Sequence, residues 1–208
     1  MIENLKHRWT LFCSAEDSQL TSQLWTEIES QYSEKSRHYH TLEHLHNMFS
    51  AYDEIEKLIN NKEAFQFTVW YHDIIYKASK NNNEEQSALL AVDRLKKLNL
   101  EISQIELIKT LILSTKKHSV LSNENASDNS YLLDIDLSIL GTDWSVYQSY
   151  CSNIRKEYKI YPTFMYNKGR KQVLKNFLDR DTLYFTEYFK EKFEIQARNN
   201  IKRELELL

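Results

Sequence analysis

Glycine is what this chain most lacks. Its 208 residues contain two, Gly141 and Gly169, and one proline, Pro162. Hairpins and tight βα turns rely on those residues for backbone angles that others resist. A chain this poor in them can make few turns, so long helices with short connections are expected. The same scarcity excludes loops that cradle phosphate with successive backbone N–H groups. A P-loop, a dinucleotide fingerprint and a kinase glycine loop each need several glycines in a short run. Any bound phosphate must therefore be held by side chains, a metal or a helix N-terminus.

Periodicity agrees with an all-α chain. Residues 3–13 and 17–31 read as helices, the second with Leu20, Leu24 and Ile28 every four positions. Thr41 precedes a helical pattern over 41–59 in the manner of a cap. The stretch 63–78 is almost wholly apolar around His72 and Asp73, and reads as a central buried helix. Helices are expected over 81–98 and 102–117, a loop over 122–129, and a short helix over 130–141 stopped by Gly141. Asp143 is the expected N-cap of a helix over 143–161. A helix over 165–179 and a long one over 182–206 follow. In the last, Phe185, Phe189, Phe193, Ala197, Ile201 and Leu205 step by four, which is a core stripe rather than a cofactor site.

With 41% hydrophobic and 12% aromatic residues, the chain can build a substantial core. Residues 1–208 are expected to form a single all-helical domain. A net charge of −3 leaves no electrostatic footprint for a nucleic-acid polymer. No apolar run approaches the roughly 20 residues of a membrane span, and the first residues lack the pattern of a signal peptide. No membrane partner is expected, and a cytoplasmic protein is. Cys13 and Cys151 make neither a disulfide framework nor a thiolate metal site. The oligomeric state is not legible.

Chemistry concentrates elsewhere. Four of the seven histidines fall in "RHYHTLEHLH", residues 37–46. On a helix His40 and His44 would share a face, while His38 and His46 would not join them. "WYHDIIY" sets His72 and Asp73 in apolar surroundings, where an unpartnered polar pair is costly. "LLDIDLSILG" does the same with Asp134 and Asp136, which look held by something positive. "NNNEEQS" brings Glu84 and Glu85, and "TKKHS" brings His118. Singly each has a bland explanation: a core histidine, an acidic helix start, a surface side chain. Together, imidazoles and carboxylates in separate apolar helices describe a nitrogen/oxygen site for Mn, Fe, Ni, Co or Zn.

The order His44, His72-Asp73, Asp136 resembles the HD-domain superfamily of metal-dependent phosphohydrolases. Within it, the chain is similar to an uncharacterised bacterial family of predicted HD phosphohydrolases, through "RHYHTLEHL", "WYHDIIY", "NNEEQSA", "STKKHS", "LLDIDLSILG", "IRKEY", "GRKQVLKNFL" and "ARNNIKREL". The resemblance implies a compact helical bundle with additional C-terminal helices. It also implies a divalent transition metal or Mg held by His44, His72, Asp73 and Asp136. The spacing in "YHTLEH" is similar to that of cyclic-nucleotide phosphodiesterases, which implies His40 as a general acid. Glu84 or Glu85, through water, is the other candidate for moving a proton. Arg37, the nearest arginine in sequence, Arg155 and Arg170, suggested by the family likeness, and His118 are candidates for holding a small phosphorylated substrate. A second metal, with Asp73 bridging and His118 as a further ligand, stays open. The rival readings are a binding or regulatory protein that keeps the fold without turnover, and a di-iron oxygenase.

Overall fold

The computed structural model describes residues 1–14, 17–122 and 124–208, and the described residues contain helices and no strand. Asn123, inside the loop expected over 122–129, lies outside them. The chain divides into two compact units, Met1–Ser119 and Val120–Leu208. Among the described residues no helix is long and apolar enough to cross a membrane.

The first unit holds α1 (Ile2–Phe12), α2 (Ser18–Tyr32), α3 (Leu42–Ile55), α4 (Lys62–Tyr71), α5 (Asn83–Lys97) and α6 (Ile102–Thr115). Short polar side chains set the helix starts. Asp17 accepts from the Leu20 amide at 2.8 Å, Thr41 from Glu43 at 3.3 Å and Asn61 from Ala64 at 3.0 Å. The core is aromatic. Trp70 of α4 meets Trp9 and Trp25 edge-on, with centroids 5.5 and 6.2 Å away, and Phe49 at 4.4 Å. Helices α4 and α5 both pack on α6.

The helix expected over 63–78 ends early, at Tyr71. Its last residues, with His72 and Asp73 among them, form an irregular turn. The cause is competition for the backbone groups of 73–77 by side chains from other segments, described below.

The second unit holds α7 (Ala126–Leu137), a 3-10 turn (Ser138–Gly141), α8 (Trp144–Glu157), α9 (Thr163–Leu178) and α10 (Glu187–Leu207). Helix α7 begins at Ala126, inside the expected loop. Helix α10 begins five residues later than expected. Glu194 accepts from the Leu183 and Tyr184 amides, and Asp134 from those of Phe185 and Thr186, so carboxylates satisfy the amides of the segment leading into α10. The stripe on α10 is core at Phe189, Ala197 and Ile201, but Phe185 precedes the helix. A step of four drifts from the 3.6-residue turn, so Asn200 and Glu204 enter the buried face. Gly141 packs so closely on α10 that a Cβ would lie 2.8 Å from the Phe193 ring. Close approach, rather than a helix stop alone, explains that glycine.

Glu204 is the polar centre of this unit. Arg170 of α9 grips it with Nε at 2.7 Å and Nη2 at 3.0 Å, and the Tyr147 hydroxyl of α8 donates to it. Burial alone would raise the Glu204 carboxyl. The Arg170 hydrogen bonds and charge, with help from Tyr147, outweigh it and hold the group below its ordinary value. Two outcomes are expected. Arg170→Met strands a buried carboxylate and lowers stability by about 3–5 kcal/mol in urea denaturation. The ion pair's contribution is complete above the unfolded carboxyl value of 4.5 and is lost as pH falls through the lower folded value. Glu204→Gln should therefore flatten the acid limb of the stability profile, and an unchanged limb would refute this.

Candidate metal centre

Arg37 builds the site. It lies between α2 and α3 and is 4% exposed. One terminal nitrogen, Nη1, donates to the carbonyls of His40 at 3.1 Å and Asp73 at 2.7 Å, and Nη2 donates to Ile74 at 2.7 Å. The guanidinium lies over the Tyr32 and Tyr76 rings, 4.9 and 5.8 Å from their centroids. It thus ties the entry to α3 to the exit from α4. Helix α5 completes the hold. The Ser87 hydroxyl accepts from the Ile75 amide and donates to the Ile75 carbonyl, and the Asn83 amide brackets Lys77 in the same way. These bonds take the place of helical ones from Asp73 onward, while His72 keeps the last helical bond, from its amide to the Thr68 carbonyl at 2.8 Å.

The result is a cluster of donors. His44, on the first turn of α3, faces His72 with their Nε2 atoms 3.2 Å apart. The Asp73 Oδ2 lies 3.3 Å from His72 Nε2. His72 Nδ1 sits 2.9 Å from the Val69 carbonyl, which is only an acceptor, so that nitrogen carries the proton. In the neutral ring the Nε2 lone pair is then aimed at His44. Ligating histidines are commonly fixed in this way, through the other ring nitrogen. Ligand bonds of about 2.0–2.1 Å place donor atoms roughly 2.8–3.4 Å apart between octahedral and tetrahedral angles. Both separations fall in that range. Both rings are buried, and a shared cation suits two imidazoles and a carboxylate better than the single hydrogen bond two neutral rings can make. The donor set fits a nitrogen/oxygen metal.

His40 lies before the Thr41 cap, so it is not on α3, as its spacing from His44 suggested. It stacks on Tyr76 at 3.9 Å and 25°, with its Nε2 3.9 Å from Asp73 Oδ2. Tyr39 packs against His40 and His44, both 5.0 Å away. Glu84 and Glu85 occupy the first turn of α5. Burial, with the nearby Asp73 charge adding to it, raises the Glu84 carboxyl above its ordinary value. Glu85 instead pairs with Lys116, which holds its carboxyl low. His118 follows α6, half-buried, with a left-handed φ of 47°.

The remaining expected residues belong to the second unit. Arg155 donates to the Tyr158 and Tyr161 carbonyls and Arg170 to Glu204, so both guanidiniums serve packing there. Asp134 and Asp136 part company. Asp134 is fully buried and accepts from the Phe185 amide, the Thr186 amide and the Thr186 hydroxyl at 2.7–2.8 Å. Burial pushes its carboxyl up to about 6 against those bonds. The positive partner expected for the pair is, for Asp134, the N-terminus of α10. Asp136 is half-buried on the last turn of α7.

The residues that hold the turn, Asn83, Ser87 and Tyr76, were not singled out in the sequence. Their signal was weak: two small polar residues one helical turn apart after "NNN", and a tyrosine four positions past His72. No family model, curated protein or solved structure matches the chain.

Arg37→Ala leaves three carbonyls without their donor and should cost roughly 3 kcal/mol in urea denaturation. Arg37→Lys should recover only part of it, because one ammonium lacks the planar fork. Full recovery by lysine would show that charge, not the fork, is what matters.

Proposed function

We propose that the chain is a metal-dependent phosphohydrolase acting on a nucleotide or another small phosphate ester. One observation carries this reading: two buried imidazoles meet with their Nε2 atoms 3.2 Å apart, a separation suited to two donors on one cation, and Asp73 Oδ2 lies 3.3 Å from one of them, His72 Nε2. In the proposal Asp136 completes the set, on the order of ligands in the sequence and because Asp134 is committed to capping α10. A divalent transition metal or Mg, when bound, supplies Lewis acidity that polarises a phosphoryl oxygen and acidifies water.

The chain's own residues do the rest. The Val69 carbonyl fixes the His72 tautomer, and Arg37 fixes the turn that presents His72 and Asp73. With its terminal nitrogens donating to carbonyls, Arg37 positions the site rather than meeting phosphate. His40, steadied by the Tyr76 ring, gives a proton to the leaving oxygen. Glu84 is the better placed of the two glutamates to move a proton, since Glu85 is paired with Lys116. His118 remains the candidate donor to phosphate in this unit. A small phosphorylated substrate and a cytoplasmic setting belong to the same proposal.

The test is a panel of nucleotides and phosphate esters with Mn, Co, Ni or Mg, beside metal content. Asp73→Ala should lose both metal and turnover. His40→Ala should keep the metal and slow turnover by roughly 10²–10⁴. Retained stoichiometric metal in Asp73→Ala would refute the ligand assignment, and metal loss in His40→Ala would make His40 a ligand. Two bound irons with oxygen consumption would replace the hydrolase reading.

A further inference from the structure

The turn between α8 and α9 carries an apolar surface unrelated to the candidate metal centre. Ile160, Phe164 and Met165 are 61, 74 and 50% exposed, although such side chains gain most from leaving water. They cluster within six positions, at the end of one helical hairpin. The hairpin is firmly built. Arg155 donates to the Tyr158 carbonyl at 2.9 Å and the Tyr161 carbonyl at 3.1 Å, and its guanidinium sits 4.7 Å above the Tyr166 ring. Pro162 ends the turn and starts α9. The exposure is therefore held in place by buried and half-buried neighbours.

Charge points to the occupant. The chain carries −3 overall, yet residues 155–175 contain seven basic residues and one acid, Glu157. That acid is buried, and Arg170 is spent on Glu204. Lys156, Lys159, Lys168 and Lys175 are exposed, and Lys171 half-exposed. Apolar side chains at a tip, with Lys156 and Lys159 beside it and Lys168, Lys171 and Lys175 following Phe164 along α9, form the pattern of a surface that enters the headgroup layer of an anionic bilayer. A nucleic-acid backbone would use the lysines but give Ile160 and Met165 nothing.

We propose that the α8–α9 hairpin docks the protein reversibly on anionic lipid surfaces. Ile160, Phe164 and Met165 insert among the headgroups, and the lysines pair with lipid phosphates. Peripheral docking of this kind needs no membrane-spanning helix.

The test is flotation of the full chain with phosphatidylcholine vesicles, with or without about one third phosphatidylglycerol. Binding to the anionic vesicles is expected, with little to the neutral ones, and 0.5 M salt should reverse it. Phe164→Glu should lower binding at least tenfold. An acid in the first turn of α9 is compatible with the helix, so its thermal melt should match that of the parent. Lys168→Glu combined with Lys171→Glu should also cost tenfold or more, and serves if Phe164→Glu melts early. Three results would overturn the proposal: no binding to anionic vesicles, binding indifferent to these changes, or a parent dimer that Phe164→Glu dissociates. Phe164-dependent retention of single-stranded RNA without vesicle binding would assign the surface to nucleic acid instead.

Discussion

A single buried guanidinium organises the first unit. Between α2 and α3 the chain leaves helical structure, and beyond α4 it does so again. Arg37 satisfies carbonyls in both segments and so makes each the support of the other. A planar fork suits this task, since its donors diverge in fixed directions while its face rests on Tyr32 and Tyr76. The His44–His72–Asp73 cluster is a consequence. If α4 continued further, the Asp73 and Ile74 carbonyls would serve its own ladder and not Arg37.

Much of this was legible in the residues. Two glycines and one proline foretold helices, and the helices are there, because turns need backbone angles this chain cannot easily adopt. Boundaries were harder. The apolar run through "WYHDIIYKA" suggests a helix to 78, and nothing local contradicts it. The competing bonds come from Arg37, Asn83 and Ser87, distant along the chain or on the next helix. Ahead of α10, Asp134 and Glu194 likewise hold the amides of the lead-in segment. Side chains reaching from elsewhere decide where helices stop, and a linear pattern does not show them.

The candidate site was legible to a similar depth. Types and order singled out His44, His72, Asp73 and Asp136, and in the structure His44 and Asp73 each approach the His72 Nε2 atom, at 3.2 and 3.3 Å. Spacing alone misplaced His40 on α3, because the Thr41 cap falls between it and His44. Arginines were the least readable. A guanidinium serves phosphate, carboxylate or carbonyl with the same donors, and the observed partners are carbonyls for Arg37 and Arg155 and a glutamate for Arg170. The two aspartates of "LLDIDLSILG" also could not be separated by type. Only the position of the α10 N-terminus shows that Asp134 is a cap, which leaves Asp136 for another task.

The central claim is that the donors around His72 share one divalent cation. Anomalous diffraction from crystals grown with Mn tests it most directly. One strong peak is expected roughly 2.0–2.2 Å from His44 Nε2 and His72 Nε2, with an Asp73 oxygen as a further proposed ligand. Crystals that show no peak there, or Mn bound only elsewhere, with His44 and His72 keeping a direct hydrogen bond, would contradict it.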